Sequence, residues 1–167
     1  MRSLTRRAYD ALMSKRNYRI VPIETEIADD ARRSAANGEP DHAFVIADSS
    51  AGYPCRHCLQ FAAIGERMVL FPFVSVQLGR PYSETGPIFV HAEACARYSN
   101  TSTFPAHFRN GRAVRAYNAR RDMIDAAVVQ DDEPEAVIEK MLENPETDFI
   151  HVRSATRGCY TMGIERV

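Results

Sequence analysis

Four residues of this chain have the types and spacing to hold a metal ion. Cys55 and Cys58 stand three apart in "YPCRHCL", and His91 and Cys95 stand four apart in "HAEAC". Zinc takes about four tetrahedral thiolate or imidazole ligands, and two cysteines three apart supply half of that set. Tyr53 and Pro54 ahead of the pair suit a tight turn that aims both sulfurs at one point. If "AEACARY" is helical, His91 and Cys95 lie one turn apart and converge too. His57, between the two cysteines, would then point away from a shared ion and is read as a surface residue.

Other chemistry fits the same residues. C-x-x-C is a redox pair when it opens a helix in a βαβ unit, whereas the pattern around it here is hairpin-rich. A cysteine beside a histidine, Cys58 with His91, is the minimum for nucleophilic catalysis, so an enzyme remains open. The plainest reading is packing, because free cysteine is among the most buried residue types.

The elements that must position these side chains are short. "RIVPI" (19–23) reads as an entry strand. "ETEIADDARRSAANG" reads as a helix, with Ile23, Ile27 and Ala31 recurring every four residues and Asn37-Gly38 as its stop. The middle changes period: "AFVIA" (43–47), "MVLFPF" (68–73) and "PIFVH" (87–91) are β-rich runs parted by Gly, Pro and Ser clusters. "AVRAYN" and "MIDAAVV" read as a hairpin after a turn at Asn110-Gly111. "DDEPEAVIEKMLEN" is a second helix, with Pro134 in its first turn and Val137, Ile138, Met141 and Leu142 as its buried stripe. Strands joined by short loops pair antiparallel. The expected fold is therefore α+β: one mainly antiparallel sheet or partly closed barrel with two main helices.

"DFIHVR" and "GCYTMGI" read as a last hairpin around "SATR". Strand alternation puts Phe149, His151 and Arg153 on one face and Ile150 and Val152 on the other, the expected core side. A four-residue loop would pair Val152 with Cys159 and His151 with Tyr160. Cys159 then packs in the core, and His151, Arg153 and Tyr160 share the outer face, where they could grip an acidic ligand.

Bulk properties bound the rest. The chain has 167 residues, 45% hydrophobic, which is one domain able to bury a core. We expect an N-terminal extension over 1–17 and a single globular domain over 18–167. The formal net charge is −1, so no global basic field draws nucleic acid. Arg112, Arg115, Arg120 and Arg121 read as a solvated hairpin rather than a nucleic-acid surface. No apolar run is long enough for a transmembrane helix, so no membrane partner is expected. Cysteines without a secretion signal point to reduced thiols and the cytoplasm.

The ordered set "YPCRHCL", "PYSETGPIFVHAEAC", "VRAYNARRDMIDAAVV" and "FIHVRSATRGCYTMGIER" resembles the bacterial family catalogued as domain of unknown function 1203. The likeness runs from about Tyr18 to the C-terminus. The family carries no assigned activity. Relatives resembling "PCRVSL" and "AIFVRE" at the matching stretches lack counterparts of Cys58, His91 and Cys95, which implies that a four-ligand zinc site belongs to a branch. The resemblance shares Cys55, Arg56, Tyr82, Arg115, His151, Gly158, Cys159 and Tyr160 with the broader pattern.

The leading expectation is an uncharacterised bacterial protein binding a small anionic molecule in a pocket on the sheet, through Arg56, Tyr82, Arg115, His151, Arg153 and Tyr160. The alternatives are a structural zinc held by Cys55, Cys58, His91 and Cys95, or an enzyme with a Cys/His nucleophile. A homo-oligomer is compatible with all three.

Overall fold

The structure, a computed structural model, describes residues 16–167. The expected extension over residues 1–17 therefore lies outside the described residues, apart from Arg16 and Asn17. Eight strands and two α-helices follow in order: β1 (Tyr18–Val21), α1 (Thr25–Ala36), β2 (Ala43–Ile46), β3 (Arg67–Val76), β4 (Glu84–His91), β5 (Arg112–Tyr117), β6 (Met123–Val128), α2 (Pro134–Leu142), β7 (Phe149–Ser154) and β8 (Tyr160–Arg166). A 3₁₀ turn covers Ala106–Phe108. The strands form two antiparallel sheets, one of five in the order β1-β8-β7-β5-β6 and one of three in the order β2-β3-β4. This is the expected α+β class, with two sheets and no closed barrel.

Each helix is placed by its own apolar spacing. In α1 the buried residues are Ala28, Ala31 and Ala35, three and four apart, and they share a core with Met68, Val69, Ile88 and Val90 of the smaller sheet. Gly38, at φ +74°, ends the helix: its N–H donates to Ala35 O at 3.1 Å and that of Glu39 to Ser34 O at 3.0 Å. That pair of bonds is the Schellman closure that a left-handed glycine permits. In α2 Pro134 fills the first turn, where its missing N–H costs nothing. Ile138, Met141 and Leu142 bury against Val114, Ile150, Val152, Met162 and Ile164 of the larger sheet.

At β7 and β8 the larger sheet is buried on both faces. Ile150 and Val152 face α2, as alternation requires. The opposite face, His151 and Arg153, is buried as well, because the smaller sheet packs over it. The expected outer face is thus an inter-sheet layer. The hairpin register also differs from expectation: Arg153 pairs with Tyr160 and Val152 with Met162. The cause is Gly158, which at φ +72° closes a longer turn in which Ser154 N donates to Cys159 O at 3.0 Å. Cys159 is therefore a half-exposed loop residue and not a core residue. A bulge beside Arg153 returns Tyr160 to the face of His151, and their rings meet edge-on at 4.9 Å.

Candidate metal centre

Three of the four side chains, Cys55, Cys58 and Cys95, come from segments outside the helices and strands, and His91 is the last residue of β4. Residues 53–61 leave the strand pattern and are fastened at several points. Pro54 bridges Phe61, Cys55 bridges Phe89 of β4, and Arg56 N donates to Phe89 O at 3.0 Å. Within the turn Leu59 N donates to Cys55 O and Cys55 N to Gln60 O. Leu59 adopts φ +56°, a conformation that is costly for a branched side chain, and it is fully buried in the larger core. Packing of Leu59 thus holds the turn that aims both sulfurs the same way.

His91 ends β4 opposite Met68. The chain then bends, and "AEACARY" is not helical, so the condition under which His91 and Cys95 lie one helical turn apart is not met. Residues 92–98 are fixed instead by long-range bonds: Tyr98 N donates to His57 O at 3.0 Å, and Arg97 donates to the Pro22 and Ile23 carbonyls at 2.7 and 3.1 Å. Cys95 is carried to the cluster by this irregular path.

The result is one compact group. One ligand atom from each of Cys55, Cys58, His91 and Cys95 lies within 4.8 Å of every other. Cys55 Sγ is 3.8 Å from Cys95 Sγ, and Cys58 Sγ is 3.4 Å from His91 Nδ1. Tetrahedral bonds of about 2.3 Å to sulfur and about 2.0–2.1 Å to nitrogen put two sulfurs about 3.8 Å apart and sulfur and nitrogen about 3.6 Å apart. The spacing fits a shared zinc-sized ion, and the donor set is thiolate-rich with one imidazole.

The surroundings complete the centre. His91 Nε2 faces Glu66 Oε1 at 3.5 Å, the carboxylate–histidine pairing that fixes a ligating ring. His57, expected at the surface, is 1% exposed. Its Nδ1 lies 3.3 Å from Cys95 Sγ and its Nε2 2.9 Å from Thr25 Oγ1. Arg32 of α1 donates Nε to the His91 carbonyl at 2.9 Å and brings Nη2 to 3.7 Å from Cys95 Sγ. The Arg32 Nη1 also donates to Asp29 Oδ1 at 2.7 Å, so the guanidinium reaches Cys95 as half of an ion pair. His57, Glu66 and Arg32 had no signature in the sequence, because each reaches the cluster through tertiary contact.

The four groups hold protons in common, which a bound metal ion would displace. Hydrogen bonds from Cys58 and Cys95 hold the Cys55 thiol far below its usual range, and Cys58, as donor to Cys55, is pushed up. Contact with the Cys55 and Cys95 sulfurs raises His91 to about 10. Burial lowers His57 below the ordinary histidine range.

The six residues expected to bind an anion separate into groups. Arg153 is 1% exposed and donates to Glu84 at 2.7 Å, to Ser75 Oγ at 2.9 Å and to Gly158 O at 3.0 Å. Arg115 reaches the same Glu84 at 3.2 Å. His151 accepts from Arg153 at 3.4 Å, and burial lowers it to about 3. His151 and Tyr160 line a cavity of about 380 Å³ between the sheets, and burial raises the Tyr160 hydroxyl. Arg56 faces a different cavity, behind the cysteine turn. Tyr82 sits exposed in the β3–β4 connection.

The fold and this cluster define a class, an α+β domain with a Cys₃His group able to hold a metal. The chain belongs to the family described as protein of unknown function DUF1203, which it matches over residues 52–166. No curated protein and no solved structure matches it. Among the described residues no helix is long and apolar enough to cross a membrane.

Proposed function

We propose that Cys55, Cys58, His91 and Cys95 bind one zinc ion, and that the ion is structural. The observation that carries this reading is the convergence of four ligand atoms within 4.8 Å from three stretches of chain. Four protein ligands complete a tetrahedral shell and leave no open position for substrate, which is the pattern of structural and not catalytic zinc. The ion cross-links the 53–61 turn to the end of β4 and to the segment after it. Those are the parts of the domain with least regular secondary structure, so they gain most from a cross-link. Cys58 and His91 are both claimed as ligands here, which leaves neither free as nucleophile or base. The reading needs reduced thiols, hence a reducing compartment such as the bacterial cytoplasm.

The test is elemental analysis of protein purified without a histidine tag. One zinc per chain is expected, falling to background in Cys58→Ser and His91→Ala. Zinc far below one per chain in the wild type, unchanged by either substitution, overturns the reading.

A further inference from the structure

The cysteine turn has a second face. Arg56 lies between two metal ligands in sequence, yet its side chain runs the other way, donating Nε to Tyr160 O at 2.8 Å and Nη1 to Pro54 O at 2.5 Å. It is 4% exposed, and among the described residues no carboxylate pairs with it. A buried charge without a counter-ion is costly, and such groups are ordinarily paired. Arg112, the nearby cation, donates to Phe108 O at 3.2 Å and to Thr161 Oγ1 at 3.5 Å, and among the described residues it also has no acidic partner. The guanidinium of Arg157 is exposed at the rim.

These three arginines line one cavity of about 480 Å³ together with the Cys159 thiol and the rings of Phe61 and Phe89. Among the described residues its walls include no acid. The volume suits a small organic molecule. Guanidinium groups recognise carboxylate and phosphate oxygens by paired N–H donors. The aromatic wall accepts a flat or apolar body.

We propose that this cavity is a binding site for a small organic oxyanion, with its charged head at Arg56, Arg112 and Arg157 and its apolar part against Phe61 and Phe89. The site is independent of the metal reading, because none of these residues ligates the ion. It differs from the pocket expected on the sheet: it keeps Arg56 but draws the rest of its charge from Arg112 and Arg157. Cys159 becomes an internal reporter, since a bound ligand covers its thiol.

The experiment uses three probes on the protein as purified. Phenyl phosphate carries oxyanion and ring, inorganic phosphate the oxyanion alone, and benzyl alcohol the ring alone. Calorimetry is expected to show saturable binding of phenyl phosphate, at least about tenfold tighter than inorganic phosphate, and none of benzyl alcohol. Arg157→Ala, at an exposed position, and Arg112→Lys are each expected to weaken phenyl phosphate about tenfold or more. Peptide-resolved alkylation should show Cys159 protected by phenyl phosphate. Absence of saturable binding, equal binding by wild type and both variants, or unprotected Cys159 at saturation overturns the proposal.

Discussion

His57 turns its Nδ1 to within 3.3 Å of the Cys95 sulfur, although it sits in sequence between Cys55 and Cys58. The same ring touches the Thr25 hydroxyl at 2.9 Å, so α1, the cysteine turn and the 92–98 segment meet at one imidazole. A histidine donor to a ligating sulfur orients it and spreads its charge. His57→Ala and Glu66→Ala should each keep one zinc per chain but lower its affinity by about 10–100-fold. Competition against a chromophoric chelator measures this. An unchanged affinity in both variants contradicts the supporting roles given to these residues.

Removing a ligand is a different kind of change. On the zinc reading, Cys58→Ser should lose the ion and with it the tie between the turn and β4. For a chain of this size a loss of about 3 kcal/mol lowers Tm by roughly 6–12 °C. Thermal melts of wild type with excess chelator should reproduce the lower Tm of Cys58→Ser. Chelator that leaves the wild-type melt unchanged removes the structural role.

Glu84 is the acid between the sheets, accepting from Arg153 at 2.7 Å and from Arg115 at 3.2 Å. The bulge at Ser75 in β3 brings its hydroxyl to the same guanidinium. Glu84→Gln leaves the buried Arg153 without its charge partner. Breaking a buried pair from one side costs about 3–5 kcal/mol, and the partial exposure of Glu84 moves the expected cost to about 2–3 kcal/mol. Urea unfolding with unchanged slope checks it. A change within about 0.5 kcal/mol would show that the pair does not fasten the sheets.

His151 sets a pH dependence. Burial, aided by Arg153, Arg115 and Arg121, depresses it to about 3, whereas unfolded histidine titrates near 6.5. The unfolded chain therefore binds the extra proton first, so this contribution is intact above pH 6.5 and shrinks as pH falls towards 3. Between pH 7.5 and 5.5 the wild type should lose about 1 kcal/mol more than His151→Phe, measured with zinc in excess. Parallel pH profiles for the two proteins would contradict the buried neutral histidine.

Much of this arrangement could be read from local pattern, and the remainder was set by long-range contacts. The spacing of Ile138, Met141 and Leu142 revealed α2, and alternation in β7 separated His151 from Val152 correctly. The hairpin register did not follow, because Gly158 spends its left-handed φ on a longer turn than "SATR" suggests. Cys55 and Cys58 were legible as a pair, since their convergence is a property of one turn. The route of Cys95 was not: an irregular path fastened to His57, Pro22 and Ile23 brings it to the cluster without a helix. His57, Glu66 and Arg32 are invisible to spacing rules for the same reason. Arg153 was visible as a polar residue on a strand face, but only the second sheet shows that this face is closed.

The central claim is the identity of the ligands. X-ray absorption at the zinc edge of the untagged protein tests it most directly. The account predicts a first shell of three sulfurs at about 2.3 Å and one nitrogen at about 2.0–2.1 Å, with a sulfur lost in Cys58→Ser. A shell dominated by oxygen and nitrogen, or protein that holds no zinc, would contradict it.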